Sequence, residues 1–141
     1  ELGAQVAHVP GAGAAGAMGA GALAFFGAKL KRGIETVLDT VRFEERISGA
    51  DFVITGEGKI DKQSLRGKVV IGVARRAKAA GIPVVAIVGD VGDDIGGVYE
   101  AGVTAVFSIN QQAIPVSEAK KRSEQDYRFT VSILLRLLRT T

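Results

Sequence analysis

Val84-Val85-Ala86-Ile87-Val88 is an unbroken apolar run, rich in β-branched residues and closed by Gly89. A strand of this kind suits burial on both faces of a parallel sheet, which requires helices on either side. The flanking segments can supply them. Val69 to Ala80 repeats Val69, Val73 and Ala77 every four residues, with Lys68, Arg75, Arg76 and Lys78 left for water, and this predicts a helix stopped by Gly81. Asp51 to Thr55 and Ala105 to Ile109 read as further strands, and Ile95 to Ala101 as a short helix ended by Gly102. In the last helix, Ser117 can serve as the cap. Tyr127, Val131, Leu134, Leu135 and Leu138 form its apolar stripe, and Arg128, Ser132, Arg136 and Arg139 its wet side.

Strand and helix thus alternate three times over residues 50–141. The expected fold class is α/β, a three-layer α/β/α arrangement on a mainly parallel sheet with right-handed crossovers. Residues 1–49 read differently. Val6 and Val9 before Pro10 give a weak edge-strand signal, and a Gly/Ala-rich segment predicts a helix from about Ala14 to Phe26. Short helical pieces follow at Ile34 to Asp39 and from Val41 through Phe43 and Ile47 to Gly49.

In parallel sheets ligands bind beyond the carboxyl ends of the strands. Here those ends are followed by Gly56 to Gln63, Gly89 to Asp94 and Asn110 to Gln112, so three polar loops are expected on one edge. The first is the richest. Glycines bracket Glu57, Asp61 lies four residues on, and Lys59, Gln63, Ser64 and Lys68 follow. Glu57 and Asp61 are hard oxygen donors suited to magnesium, while Lys59 and Lys68 offer positive charge to a phosphate or carboxylate. Ser64 and the amides ahead of Val69 lie where a helix start attracts anions. The plainer reading is that Asp61 or Ser64 caps the following helix and Glu57 is solvated. Asp90, Asp93 and Asp94 form a second acidic group, read chiefly as turn and cap residues; a cation shared between the loops would take one carboxylate from each.

Composition closes several alternatives. With 47% apolar residues the chain can bury a core, and a formal charge of +3 with few aromatics argues against a nucleic-acid surface. No cysteine and one histidine, His8, make a zinc site a poor reading, and His8 is expected to be exposed or structural. No secretory signal opens the chain, and no membrane association and a cytoplasmic location are the expectation. There is no Gly-Lys-Ser/Thr phosphate loop and no Gly-x-Ser-x-Gly elbow. Gly11-Ala12-Gly13-Ala14-Ala15-Gly16 matches the dinucleotide fingerprint in letters, yet Pro10 precedes it and no acidic strand end follows at the required distance.

Thr55-Gly56-Glu57-Gly58-Lys59-Ile60-Asp61-Lys62-Gln63-Ser64-Leu65-Arg66-Gly67-Lys68, with Gly11 to Gly19 some forty residues earlier, resembles the C-terminal portion of the bacterial glycerate kinase family, of the glycerate 2-kinase type. The resemblance covers essentially the whole chain. It implies ATP-dependent phosphorylation of D-glycerate to 2-phosphoglycerate, with ATP and Mg²⁺ as cofactors, and an active site between two α/β domains of which residues 50–141 resemble the flavodoxin-like one. Residues 1–49 would then belong to the second domain or the cleft. The matched positions implied for the site are Glu57, Asp61 and Lys68 in catalysis, Glu57 and Asp61 at the metal, and Gly11, Gly13, Gly16, Thr55, Gln63 and Ser64 in substrate or phosphate binding. Glycine-rich amides at a helix start would hold phosphate or an organic carboxylate.

Two departures accompany the match. The family's N-terminal motifs have no counterpart, so the chain is expected to be part of a longer polypeptide whose remainder completes the site, and inactive alone. Val70 stands where the family commonly has proline. The alternative is a non-catalytic flavodoxin-like module that takes a cation or phosphate without turnover.

Overall fold

The computed structural model describes residues 5–139, apart from the side chain of Arg66. Three parallel strands, β1 (Val53–Ile60), β2 (Val84–Val91) and β3 (Ala105–Ser108), pair in the order β1-β2-β3. Val53 lies opposite Val84, Glu57 opposite Val88 and Val85 opposite Ala105. Helices α1 (Ala14–Phe26), α2 (Gly33–Thr40) and α3 (Phe43–Ile47) precede the sheet; α4 (Val69–Ala79), α5 (Gly96–Glu100) and α6 (Val116–Leu138) alternate with or follow its strands.

The alternation of side chains on β2 divides the core. Val84, Ala86 and Val88 join Val70, Ile71, Ala74 and Ala77 of α4 and Val98 of α5, whereas Val85 and Ile87 face Leu134 of α6. Both crossovers therefore pass over one face and α6 covers the other, the expected three layers with β2 as the central strand. At the outer rim Gly72 admits Ile34: a Cβ there would overlap the Ile34 side chain. Arg76 then ties α4 to α2 and α3, bonding Asp39 Oδ1 through Nη1 and Glu44 Oε2 through Nη2, each at 2.6 Å.

Four expectations need correction. The first strand does not end at Thr55; it runs to Ile60, because Gly56, Glu57, Lys59 and Ile60 all keep register with β2, which itself extends to Val91. Residues 5–10 form turns, with the Val9 amide donating to the Val6 carbonyl at 3.2 Å, while residues 1–4 of the expected edge segment lie outside the described residues. The cap of α6 is Pro115 instead of Ser117, with no side-chain bond. The inward face of α6 is Asp126, Thr130 and Leu134, spaced by four, leaving Tyr127 and Leu135 exposed. One polar bond ties this face to the preceding loop, Gln111 Nε2 donating to Thr130 Oγ1 at 3.1 Å, while Asp126 is satisfied within the helix by Arg122 Nη2 at 3.0 Å.

Helix α1 has the expected bounds but an unexpected start. Ala15, Gly16 and Ala17 are all left-handed, with φ of 52°, 65° and 68°, so the right-handed course begins at Met18. Non-glycine residues adopt this conformation at a cost of roughly 1–2 kcal/mol each. No residue of α1 is buried, and Met18, Phe25 and Phe26 are largely exposed. No helix among the described residues is long and apolar enough to cross a membrane.

Candidate active site at the mouth of the sheet

The chain leaves β1 at Ile60, which is fully buried, and turns at Asp61 into a short 3₁₀ helix, Lys62–Arg66. Asp61 sits in extended backbone at the cap, and its Oδ1 accepts from the amides of Gln63 at 2.9 Å and Ser64 at 3.2 Å. The Asp61 amide in turn donates to Ser64 Oγ at 3.1 Å. This is a reciprocal capping box, and it makes the plainer reading of Asp61 correct as far as Oδ1 is concerned. Ser64 is fully buried within it.

The second loop packs directly on the first. The Gly92 amide donates to the Ile60 carbonyl at 2.8 Å. A Cβ on Gly92 would fall 2.9 Å from Asp61 Cβ, so only glycine allows the approach. A cavity of about 370 Å³ opens here, lined by Asp61, Lys62, Gln63 and Asp93. Asp93 is the functional candidate that sequence reading left among turn residues. Its pairing with Asp61 arises between the ends of two strands, which no local pattern can show.

The other acidic residues of this loop are paired. Asp90 Oδ2 lies 3.4 Å from Lys59 Nζ, and Asp94 Oδ2 lies 3.1 Å from Lys62 Nζ. Lys68, half-buried at the cap of α4, donates its amine to the Lys59 carbonyl at 3.1 Å. Two lysines thus gather where β1 ends. Glu57 and Thr55 are half-buried and share a face of β1, opposite Val88 and Ala86.

Extension of the strand bears on the metal assignment. At about 3.3 Å per residue, Glu57 and Asp61 lie about 13 Å apart along the chain, too far for both to touch one magnesium ion with bonds of about 2.1 Å. Asp61 and Asp93 are two hard oxygen donors that line one cavity. Magnesium is ordinarily held by one or two carboxylates plus substrate phosphates. Among the described residues there is no group of three or more His, Cys, Asp or Glu arranged to hold a metal by itself.

Gly11, Gly13 and Gly16 lie in the turn ahead of Met18. Gly11 is left-handed and faces Leu30, and the Ala20 amide returns to the Ala12 carbonyl at 2.9 Å. Gly13 and Gly16 have open space where a Cβ would point. The structure therefore brings Asp61, Gln63, Ser64, Lys59 and Lys68 together at the end of β1, with Thr55 and Glu57 earlier on the same strand. The glycine-rich turn belongs to a separate segment. His8 is exposed.

Comparison with known proteins gives this geometry a family. A family model described as the glycerate kinase family matches residues 1–139. The chain is 49% identical over 124 residues to a glycerate kinase of Halalkalibacterium halodurans, covering 88% of this chain and 33% of that protein. It is 54% identical over 105 residues to the glycerate 2-kinase of Escherichia coli, covering 74% of this chain and 28% of that protein. A solved structure from Salmonella typhimurium LT2, provisionally assigned as a glycerate kinase 2, superposes with a TM-score of 0.64 at 41% identity over 93% of this chain and 34% of that one. The chain spans about a third of the length of these relatives. On the strength of the match from residue 1 to residue 139, the chain belongs to the glycerate kinase family.

Proposed function

We propose that this chain is the C-terminal portion of a cytoplasmic glycerate kinase that transfers the γ-phosphoryl group of ATP to the 2-hydroxyl of D-glycerate. The products are 2-phosphoglycerate, ADP and a proton. The observation that carries the reading is the placement of Asp61, Lys59 and Lys68, from the stretch that resembles the family, together at the carboxyl end of a parallel strand. Phosphoryl transfer asks for charge neutralisation and alignment more than for covalent chemistry, and this end of the sheet offers both signs of charge.

Each residue has a distinct part. Asp61, with one oxygen engaged in the capping box, lines a cavity together with Asp93, and these two carboxylates would hold magnesium. When bound, that ion supplies charge neutralisation for the β- and γ-phosphates. Lys68 and Lys59 stand over the end of β1 as point charges for the phosphates. Gln63 lines the cavity beside Asp61 and can orient a phosphate oxygen. Ser64 acts through Asp61, which it holds in place. Glu57 and Thr55 sit deeper on the strand, and Glu57 is the carboxylate assigned to receive the hydroxyl proton.

Residues 1–49 are assigned to the second domain or the cleft, where the amides around Gly11, Gly13 and Gly16 would take the glycerate carboxylate or a phosphate. The exposed apolar side of α1 is in keeping with a surface that the remaining polypeptide covers. The test is ATP-dependent phosphorylation of D-glycerate by the full-length protein, followed by Glu57→Gln and Asp61→Asn. Each substitution should lower kcat by about 10²-fold or more. A wild-type protein inactive toward small hydroxy acids would leave the binding-module alternative in place, and undiminished rates in both variants would move the chemistry elsewhere.

A further inference from the structure

Behind β1 and β2, on the α6 side of the sheet mouth, lies a second cavity of about 250 Å³, distinct from the one beside Asp61. Gly58 and Gly89 of the two strands line it, with Ile109, Ile114 and Ala119 as apolar wall and Asn110, Gln112 and Lys120 as polar rim.

The two glycines differ in a way that points to a ligand. A Cβ on Gly89 would run into the Gly58 carbonyl oxygen, so glycine there serves the sheet itself. A Cβ on Gly58 would meet nothing within 4 Å, and the residue has no left-handed φ. Nothing in the described fold requires glycine at position 58, and in a strand interior glycine is a weakening choice compared with a β-branched residue. A bare backbone here keeps a flat apolar space open. The Ser108 hydroxyl, donating to the Gly89 carbonyl at 3.4 Å and accepting from the Asn110 amide at 3.1 Å, fixes the far wall to Gly89.

We propose that this cavity receives the adenine ring of ATP; the inference rests on the kinase reading above and deepens it. Its volume is below the roughly 300–1,000 Å³ of sites that enclose a whole ligand, which suits one ring with the rest of the molecule outside. Apolar walls and two strand glycines suit the faces of a planar heterocycle. A carboxamide such as those of Asn110 and Gln112 pairs its donor and acceptor with N6 and N7 of adenine. A small hydroxy acid has no such face to set between the apolar walls. Asp90, which also lines the cavity, holds Lys59 at 3.4 Å, so the cavity borders the lysine pair, and a polyphosphate leaving the ring would cross the end of β1 toward Asp61.

The test uses the full-length protein with Gly58→Val, which projects methyls into the cavity from a strand position that tolerates them, and independently Ala119→Phe from the α6 wall. ATP and ADP affinities are measured by calorimetry, KM values for ATP and glycerate separately, and the affinity for inorganic tripolyphosphate as a probe of the lysines alone. Both variants should weaken ATP and ADP by about tenfold or more, with the glycerate KM, tripolyphosphate affinity and melting temperature close to wild type. ATP affinity within about twofold of wild type in both variants would overturn the assignment while leaving the kinase reading intact. A lowered melting temperature with undiminished ATP affinity would also overturn it, giving the cavity to a side chain of the remaining polypeptide. A wild-type protein that neither binds ATP nor phosphorylates glycerate would remove both.

Discussion

Asp61 and Ser64 are bonded to each other in both directions, Ser64 donating its amide to the Asp61 carboxylate at 3.2 Å and Asp61 donating its amide to the Ser64 hydroxyl at 3.1 Å. The contact separates two duties of Asp61. Asparagine keeps an oxygen for the cap and loses the charge, whereas alanine loses both. Asp61→Asn is therefore expected to unfold at nearly the wild-type denaturant midpoint and still lose phosphoryl transfer, while Asp61→Ala is in addition destabilised by about 1 kcal/mol. Equal stabilities for the two variants, measured by denaturant unfolding, would contradict the capping role.

Arg76 draws the Glu44 carboxyl below its usual range, chiefly by hydrogen bonding to it, and its own guanidinium is raised in return. A carboxyl depressed in the folded state contributes stability that is complete above its unfolded pKa of about 4.3, and that is lost as pH falls through the lower folded value. The wild type should therefore lose more stability on acidification below about pH 4.3 than Arg76→Met does. Denaturation midpoints collected across that interval decide it. A gap between the two proteins that is independent of pH would show that the ion pairs between α2, α3 and α4 carry no such linkage.

Gly72 leaves room for Ile34, so Gly72→Val should force the two helices apart and cost about 1–3 kcal/mol. Ile34→Ala made in the same chain should recover part of that loss. Additive costs in the double variant, measured by thermal unfolding, would place the strain elsewhere.

Leu134 is the buried contact of α6 against Val85 and Ile87. Leu134→Ala is expected to cost about 2–5 kcal/mol, whereas Leu135→Ala, at a position 43% exposed, should cost far less. Similar destabilisation by the two would mean that the helix is rotated from the arrangement described.

The elements read best from sequence were those in which one face decides burial. The four-residue repeat places α4 to within a residue of its observed end, although Val69 is 49% exposed and Val70, Ile71 and Ala74 join Val73 and Ala77 in the buried face; Val84 to Val88 marks the central strand by itself. Gly56 to Ile60 could not be read as strand, because two glycines and two charges have the composition of a loop. The backbone ladder to Val88, Asp90 and Val91 overrides that local preference. In α6 the inward Thr130 and Asp126 defeated the apolar stripe, since their partners Gln111 and Arg122 are visible only in three dimensions for the first and unremarkable as helix neighbours for the second. At the site, the capping position of Asp61 is legible from its loop, whereas its sharing of a cavity with Asp93 depends on how two strand ends are set side by side.

Gly92 acts as a rivet between those ends. Because its amide holds Ile60 and its lack of a side chain lets Asp61 come close, the terminus of the first strand cannot swing without carrying the second. Whatever cargo engages Asp61 must then be felt across two neighbouring strands at once, as a joint slowing of amide exchange at their tips, and the central strand becomes the rigid arm through which the mouth of the sheet answers its load.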